Sequence, residues 1–272
     1  MNQGKYVFAQ ITEFLPQRVF DNYVSKYSGN KYVRHFSCWN QLLTMIFGQL
    51  TNTDSLRDLV LTLEVHNIKV IHLGLVKSIK LSNLSKANEK LNSKIFEEFA
   101  YYLIDLARKK QVNNDFEIQG KIYAFDSTTI DFCISVFWWA KFRTTKGGVK
   151  MHTLFEINTQ VPVFIHITPA IVHDVNALDS IPYENISNYI FERGYIDFER
   201  LYKIDAQTAY FVIRTKNNLK FSRIYSRKSN KENGILIDQI GKLVNFYALK
   251  DYPRNKGELN ITTKKPTKLL YF

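Results

Sequence analysis

The sequence contains few cysteines and no long apolar run. Its two cysteines, Cys38 and Cys133, cannot build a disulfide framework or a four-thiolate zinc site, which excludes secreted mini-scaffolds and zinc ribbons. No stretch approaches the roughly 20 consecutive apolar residues that a membrane-spanning helix requires. The N-terminal MNQGKYVFAQ also lacks the basic-then-apolar layout of a signal peptide. These absences predict a soluble, cytoplasmic protein that has no membrane partner.

What remains is the composition of a folded, basic protein. Of the 272 residues, 45% are hydrophobic and 14% aromatic, so the chain can bury a core and form one large or two ordinary domains. The net charge is +12, and most of the excess lies in residues 215–272. Residues 121–214 instead carry 9 basic and 10 acidic side chains. An acidic segment between basic ones suits a metal-dependent enzyme that acts on a polyanion, but a solvated lysine-rich surface would explain the charge equally well.

The first 115 residues have the periodicity of helices. Apolar residues recur at three-and-four spacing over residues 39–50, and Asp54 or Ser55 is placed to cap a following helix. Residues 94–110 predict a longer helix, with acidic side chains near its start and three cations at its end. The polar segment 111–121 predicts a domain boundary. We therefore expect a helical N-terminal domain over residues 1–115.

From residue 120 the pattern becomes that of strands alternating with helices. Three runs rich in β-branched and aromatic residues come first, and then a helix, a strand, a second helix and a further strand. This order predicts an α/β fold with a mixed sheet over residues 120–272. After about residue 215 the chain becomes rich in Lys, Arg, Asn and Ser, with short strand-like runs such as GILIDQI and LVNFYAL.

Two carboxylates lie on predicted strands where they could hold a metal. Asp126 stands within YAFDSTTIDF, where an acidic residue is disfavoured unless it ends the strand and bonds to the backbone of Ser127 or Thr128 in a turn. Glu192 ends the NYIFE run, at the carboxyl edge where such sheets place their active sites. Carboxylates on neighbouring strands could bind Mg²⁺, which prefers oxygen ligands.

A second possible metal site is the pair His173 and Asp174. His152 and His166 are near this pair in sequence, and together they could serve a metal phosphohydrolase. Asp174 stands directly before the helical VNALDS, however, so it is equally well placed to cap that helix.

The order of several long segments resembles a known family. The chain is similar to the DDE transposases of the insertion sequence 4 family, in the branch that begins with a helical domain. The likeness runs from residue 3 to about 250 and is carried by five segments: KYVRHFSCWNQLLTMIFGQLTNTDSLRDL, YAFDSTTIDFCISVFWWAKFRTTKGGVKMHTL, ITPAIVHDVNAL, YIFERGYIDFERLY and FVIRTKNNLKF.

The resemblance implies a fold, a chemistry and partners. The family has a ribonuclease-H-like catalytic domain interrupted by a β-rich insertion, expected here from about residue 215. Two Asp and one Glu hold two divalent ions, Mg²⁺ or Mn²⁺, for phosphodiester cleavage at the element ends and strand transfer into target DNA. Asp126 matches the first Asp. The resemblance also implies DNA binding by the helical N-terminal domain. Whether the chain is a monomer or a homodimer stays open at this point.

The chain departs from the family pattern in two places. The second Asp normally opens the motif Asp-Arg-Gly-Tyr, which here begins with Glu192, and the extra methylene moves the carboxylate by roughly 1 Å. No Tyr, Arg, Glu and Lys constellation of the family's last helix occurs, so the third carboxylate is absent. We therefore expect a truncated, catalytically incomplete copy that holds metal poorly and cleaves no strand with Mg²⁺ or Mn²⁺. Its alternative role is a non-catalytic DNA-binding module that occupies element ends.

Overall fold

Two units of different architecture make up the chain, Met1–Leu103 and Ile104–Phe272. The computed structural model describes residues 6–65, 74–75, 79–110, 118–132, 147–215, 219, 221–228, 237–244, 258–264 and 267–271. None of the helices in these ranges is long and apolar enough to cross a bilayer.

The first unit is built from helices. In chain order they are α1 (Val7–Thr12), α2 (Gln17–Lys26), α3 (Cys38–Leu50), α4 (Leu56–Val65), α5 (Leu81–Lys90) and α6 (Lys94–Lys110), which continues into the second unit. The three helices predicted from periodicity, α3, α4 and α6, are confirmed. The helices α1, α2 and α5 were not predicted, because each buries only one or two side chains and so carries a weak apolar pattern.

Local capping fixes where the predicted helices begin. The Oγ atom of Ser55 accepts a hydrogen bond from the backbone N–H of Asp58 at 3.1 Å, and the Asp58 carboxylate accepts one from the N–H of Asp54 at 3.3 Å. Ser55, and not Asp54, is therefore the residue whose side chain caps α4. Ser37 caps α3 in the same way, through the N–H of Asn40 at 3.3 Å. The unit packs around fully or nearly fully buried side chains, among them Phe20, Leu43, Leu84, Ile95 and Phe99.

The second unit is organised by one mixed sheet. Its described strands are β1 (Ile122–Phe132), β2 (Gly147–Glu156), β3 (Val161–Pro169), β4 (Asn188–Phe191), β5 (Tyr210–Arg214), β6 (Phe221–Arg227), β7 (Ile237–Leu243), β8 (Glu258–Lys264) and β9 (Thr267–Tyr271). They are ordered β3-β2-β1-β4-β5-β9-β8-β7-β6. The pairs β1–β4 and β4–β5 are parallel, and the other neighbours are antiparallel. The predicted mixed sheet is thus confirmed.

One face of the sheet carries the core of this unit. Alternation along β1 and β4 points Tyr123, Phe125, Tyr189 and Phe191 to the same side, and the rings of Tyr123 and Tyr189 stack with centroids 5.2 Å apart. The 3₁₀ helix Asp174–Ser180 and the helix α7 (Phe198–Ala206) supply buried side chains to the same apolar cluster. The opposite face keeps apolar side chains exposed, including Ile167 and Ile190.

The strands after residue 215 extend the sheet instead of forming a separate layer. Within the described residues, β9 pairs with β5, and β8, β7 and β6 follow outward from it. The run GILIDQI contributes only its last part, to β7, and most of LVNFYAL lies outside the described residues. The strands β6, β8 and β9 were not predicted, since lysine, asparagine and serine are frequent in this part of the chain and weaken the alternation that marks a strand.

Candidate metal-binding site

Asp126 lies where the parallel pairing of β1 ends. The register of β1 and β4 joins Phe125 to Phe191 as its last pair, whereas the antiparallel pairing of β1 with β2 continues past Asp126. The carboxylate is exposed, and its Oδ1 accepts a hydrogen bond from the backbone N–H of Ser127 at 2.8 Å. This bond agrees with the turn alternative, but the strand does not end here, because β1 runs on to Phe132.

Glu192 occupies the corresponding position after β4. Its backbone stays extended, with φ −75° and ψ 161°, and its exposed carboxylate accepts a hydrogen bond from the N–H of Arg193 at 3.3 Å. Asp126 and Glu192 each directly follow the last paired residue of the parallel ladder, Phe125 and Phe191. Neighbouring strands are about 4.8 Å apart, so the two residues begin from adjacent backbone positions.

Both carboxylates belong to the sheet face opposite the core. Phe125 and Phe191 point into the core with ring centroids 6.3 Å apart, and the residue that follows each one points the other way. Within the described ranges, no Lys, Arg or His side chain forms an ion pair with either carboxylate. Two uncompensated negative charges at neighbouring positions attract a cation.

Polar contacts on the core side of the sheet fix the part of β1 that directly follows Asp126. Ser127 Oγ donates a hydrogen bond to Asp174 Oδ1 at 3.1 Å, and Lys150 Nζ lies 3.1 Å from the same oxygen. Lys150 Nζ also donates to the carbonyl of Val172 at 2.8 Å, so β1, β2 and the 3₁₀ helix are joined at this point. Sequence reasoning missed these partners, because they lie far apart along the chain and no local spacing connects them.

Tyr195 anchors the segment that follows Glu192. It is buried, with its ring centroid 5.2 Å from that of Phe125 and 6.1 Å from that of Phe191. Burial raises the pKa of the Tyr195 hydroxyl to about 12, so this side chain stays neutral. The motif Glu-Arg-Gly-Tyr therefore combines an exposed carboxylate with a buried aromatic anchor three residues later.

The histidine-based alternative has no metal-binding cluster in the described residues. His152 is buried, shares a 2.9 Å hydrogen bond between its Nε2 and Thr168 Oγ1, and has its pKa lowered by burial. The expectation that Asp174 caps the following helix is wrong, because Asp174 is the first residue of the 3₁₀ helix and His173 holds the N-cap position. The Asp174 carboxylate is instead engaged by Lys150 and Ser127. No group of three or more His, Cys, Asp and Glu side chains in the described part of the chain is arranged to hold a metal. Asp126 and Glu192 also stand without a third carboxylate there, and their role as metal ligands stays a prediction.

Comparison with solved structures gives only distant similarity. A piggyBac transposase synaptic complex with hairpin DNA aligns over 100% of this chain and 62% of its own, with a TM-score of 0.45 and 11% identity. Endonuclease V from Bacillus subtilis aligns over 66% of this chain and 75% of its own, with a TM-score of 0.26 and 7% identity.

Sequence comparison gives a closer match. A Sinorhizobium fredii protein named "Putative transposase y4zB" is 30% identical over 96 residues, which are 35% of this chain, and the chain spans about a quarter of that relative's length (27%). Residues 3–76 match a family described as "Domain of unknown function (DUF4372)". Residues 118–269, more than half of the chain, match the family described as "Transposase DDE domain", which implies a general dependence on divalent metal. The chain therefore belongs to the DDE transposase family, of the insertion sequence 4 type that its motifs resemble.

Proposed function

We propose that this chain serves an insertion sequence transposase in DNA transposition, and that Asp126 and Glu192 bind the divalent ion, Mg²⁺ or Mn²⁺. One observation carries the assignment of the site. The two carboxylates directly follow the last parallel pair of β1 and β4, and both are exposed. The substrates and partners proposed with it are the element ends and the target DNA.

The chemistry of the two side chains fits such an ion. Mg²⁺ prefers oxygen ligands and is commonly bound through one or two carboxylates while it retains several waters. Each carboxylate accepts one hydrogen bond, from the N–H of the residue that follows it, which leaves oxygen lone pairs available. Two ligands without a third among the described residues predict weak binding of the isolated ion.

The chain's own contribution to the reaction is to hold these carboxylates in place. A bound divalent ion supplies charge stabilisation to the attacking and leaving oxygens of an in-line phosphoryl displacement. Asp126 is carried by a strand paired on both sides up to Phe125, and the contacts from Ser127 to Asp174 fix the backbone directly after it. Tyr195 does the same for the segment after Glu192. Rigid support of this kind keeps ligand geometry within the tolerance that catalysis needs.

A non-catalytic DNA-binding module is the second candidate. The net charge of +12 favours it, because cationic surface alone supports binding to nucleic acid. The two candidates differ in the role of Asp126, since a pure binding module has no need of a metal site.

Titration with Mn²⁺ tests the proposed site. We expect wild-type protein to bind Mn²⁺ by water-proton relaxation, and Asp126→Asn and Glu192→Gln each to bind it about tenfold or more weakly, as loss of a ligating charge predicts. Glu199→Gln removes an exposed carboxylate on α7 and serves as the matched control, with unchanged binding. Equal Mn²⁺ affinity in wild type and both site variants would contradict the proposal, and unchanged DNA binding by them would then favour the module.

A further inference from the structure

A groove in the first unit lies between the segment 27–36 and helix α5. It encloses about 680 Å³, and the residues that line it come from these two stretches and from the link between α5 and α6. We call it the cationic groove. All of its walls belong to the helical unit Met1–Leu103, so it is separate from the site at Asp126.

Helix α5 turns a cationic stripe toward the groove. Asn83, Lys86, Ala87 and Lys90 follow the spacing that places side chains on one helical face, and all four line the groove. Leu84 lies beside this stripe, about 110° around the helix from its centre, and is fully buried in the core of the unit. The core contact of Leu84 therefore fixes which face of α5 lines the groove.

The opposite wall is a segment held in a defined conformation. Its Gly29 N–H donates to the Val24 carbonyl at 2.8 Å, and Asn30 Oδ1 accepts from the N–H of Cys38 at 2.9 Å. A Cβ on Gly29 would stand 2.6 Å from Ile95 Cδ1, so glycine lets the Ile95 side chain pack directly against the backbone here. The wall is thus tied to α2, α3 and α6.

This wall carries two further cations and an exposed tyrosine. Lys31 and Arg34 line the groove and are exposed. Tyr32 between them is 92% exposed and has φ 63°, a left-handed conformation that costs a bulky side chain free energy. The Lys31 ammonium lies 5.3 Å from the centroid of the Tyr32 ring, a cation–π contact that holds the charge at the rim of the groove.

Ion pairs between described residues leave the positive charge of the groove uncompensated. No Asp or Glu is among its lining residues, and none of its four Lys and Arg side chains forms an ion pair with a described residue. Nearby Glu98 accepts hydrogen bonds from Lys26 and Tyr27, so its charge is already neutralised. Unpaired cations on two facing walls suit a ligand whose negative charge is distributed along its length.

We propose that the cationic groove binds duplex DNA through its phosphates, with Lys31, Arg34, Lys86 and Lys90 as the contacts. The choice of DNA over another polyanion rests on the proposed function. Each phosphate contact releases bound counterions from the DNA, so the number of cations that touch phosphates determines how steeply affinity falls with salt.

The test compares two variants of equal charge in the full chain. Lys86→Gln/Lys90→Gln removes two groove cations, and Arg18→Gln/Arg57→Gln removes two exposed cations that do not line the groove. Binding to a fluorescent duplex DNA is measured by anisotropy at several salt concentrations. We expect the groove variant to have a slope of log K against log salt that is shallower by about 1.8, and the control to keep the wild-type slope. Between ~50 and ~200 mM salt, wild-type affinity should fall about 12-fold more than that of the groove variant.

The other outcomes are distinct. A wild-type slope in the groove variant would overturn the groove proposal, and so would an equal loss of slope in both variants. In either case the proposed transposase function would be unaffected. If the wild-type protein bound no duplex DNA at all, both the groove proposal and the proposed DNA partner would be overturned. Groove-dependent binding of duplex RNA without DNA binding, or full displacement by millimolar inorganic phosphate, would replace DNA with another ligand. Unchanged thermal unfolding of both variants confirms that they are folded.

Discussion

Asp126 illustrates how a single residue is placed by contacts that its local sequence only partly reveals. A carboxylate inside a strand pattern predicts either a turn or a functional position, and the hydrogen bond to the Ser127 N–H is common to both. The turn and the functional position differ in what the strand does next. β1 continues to Phe132, although its pairing with β4 stops at Phe125. That information is held by residues more than 60 positions away, so Asp126 could be selected by resemblance but not by spacing. The contacts that join Ser127, Lys150 and Asp174 had no local signal, because these residues are far apart along the chain.

His152 provides a prediction at the same scale. Because burial lowers its pKa in the folded state, the unfolded chain binds the proton more tightly. The stability that follows from keeping His152 neutral is complete above the unfolded pKa of about 6.5 and is lost as the pH falls below it toward the folded pKa. We expect urea unfolding of His152→Gln to be less sensitive to pH between about 5 and 7 than unfolding of wild type. The exposed His173→Gln should retain the wild-type sensitivity. Identical pH dependence in wild type and His152→Gln would contradict this account.

At the scale of elements, prediction succeeded where the apolar pattern was strong. The helices α3, α4, α6 and α7 and the strands β1 to β5 each carry the period of their structure, and the structure confirms them. Helix α5 was missed because Leu84 is its single buried side chain, and the rest of the helix is polar. The polar and cationic side chains of α5 form one wall of the cationic groove. Polar elements are therefore the ones that a hydrophobic pattern misses, and in this chain they include a candidate binding surface.

Helix α7 offers a test of packing at this scale. Leu201 and Ile204 are fully buried against the aromatic face of the sheet. Leu201→Ala leaves a cavity there and should lower the free energy of unfolding by about 2–5 kcal/mol, as measured by urea denaturation. Glu199→Ala on the exposed side of the same helix should change it by less than about 0.5 kcal/mol. Similar losses in the two variants would show that α7 does not pack as described.

At the scale of the molecule, sequence alone predicted a helical part followed by a mixed sheet, and this is confirmed. The joining of β6 to β9 onto the edge of the same sheet was not predictable, because the pair β5–β9 links residues about 60 positions apart. The two proposed sites use different parts of this architecture. The carboxylates depend on the register of two parallel strands, and the cationic groove depends on the helical unit alone. Loss of metal binding at the carboxylates therefore does not by itself abolish DNA binding in the groove, and loss of the groove does not by itself abolish metal binding.

The central claim is the proposal that Asp126 and Glu192, which each follow the last parallel pair of β1 and β4, act on the same ion. A double-mutant cycle on Mn²⁺ affinity tests this most directly, with wild type, Asp126→Asn, Glu192→Gln and the double variant. Shared coordination predicts coupling, so the double variant should lose markedly less affinity than the product of the two single losses. Losses that multiply without coupling, or Mn²⁺ binding that neither substitution weakens, would contradict a joint site at the ends of β1 and β4.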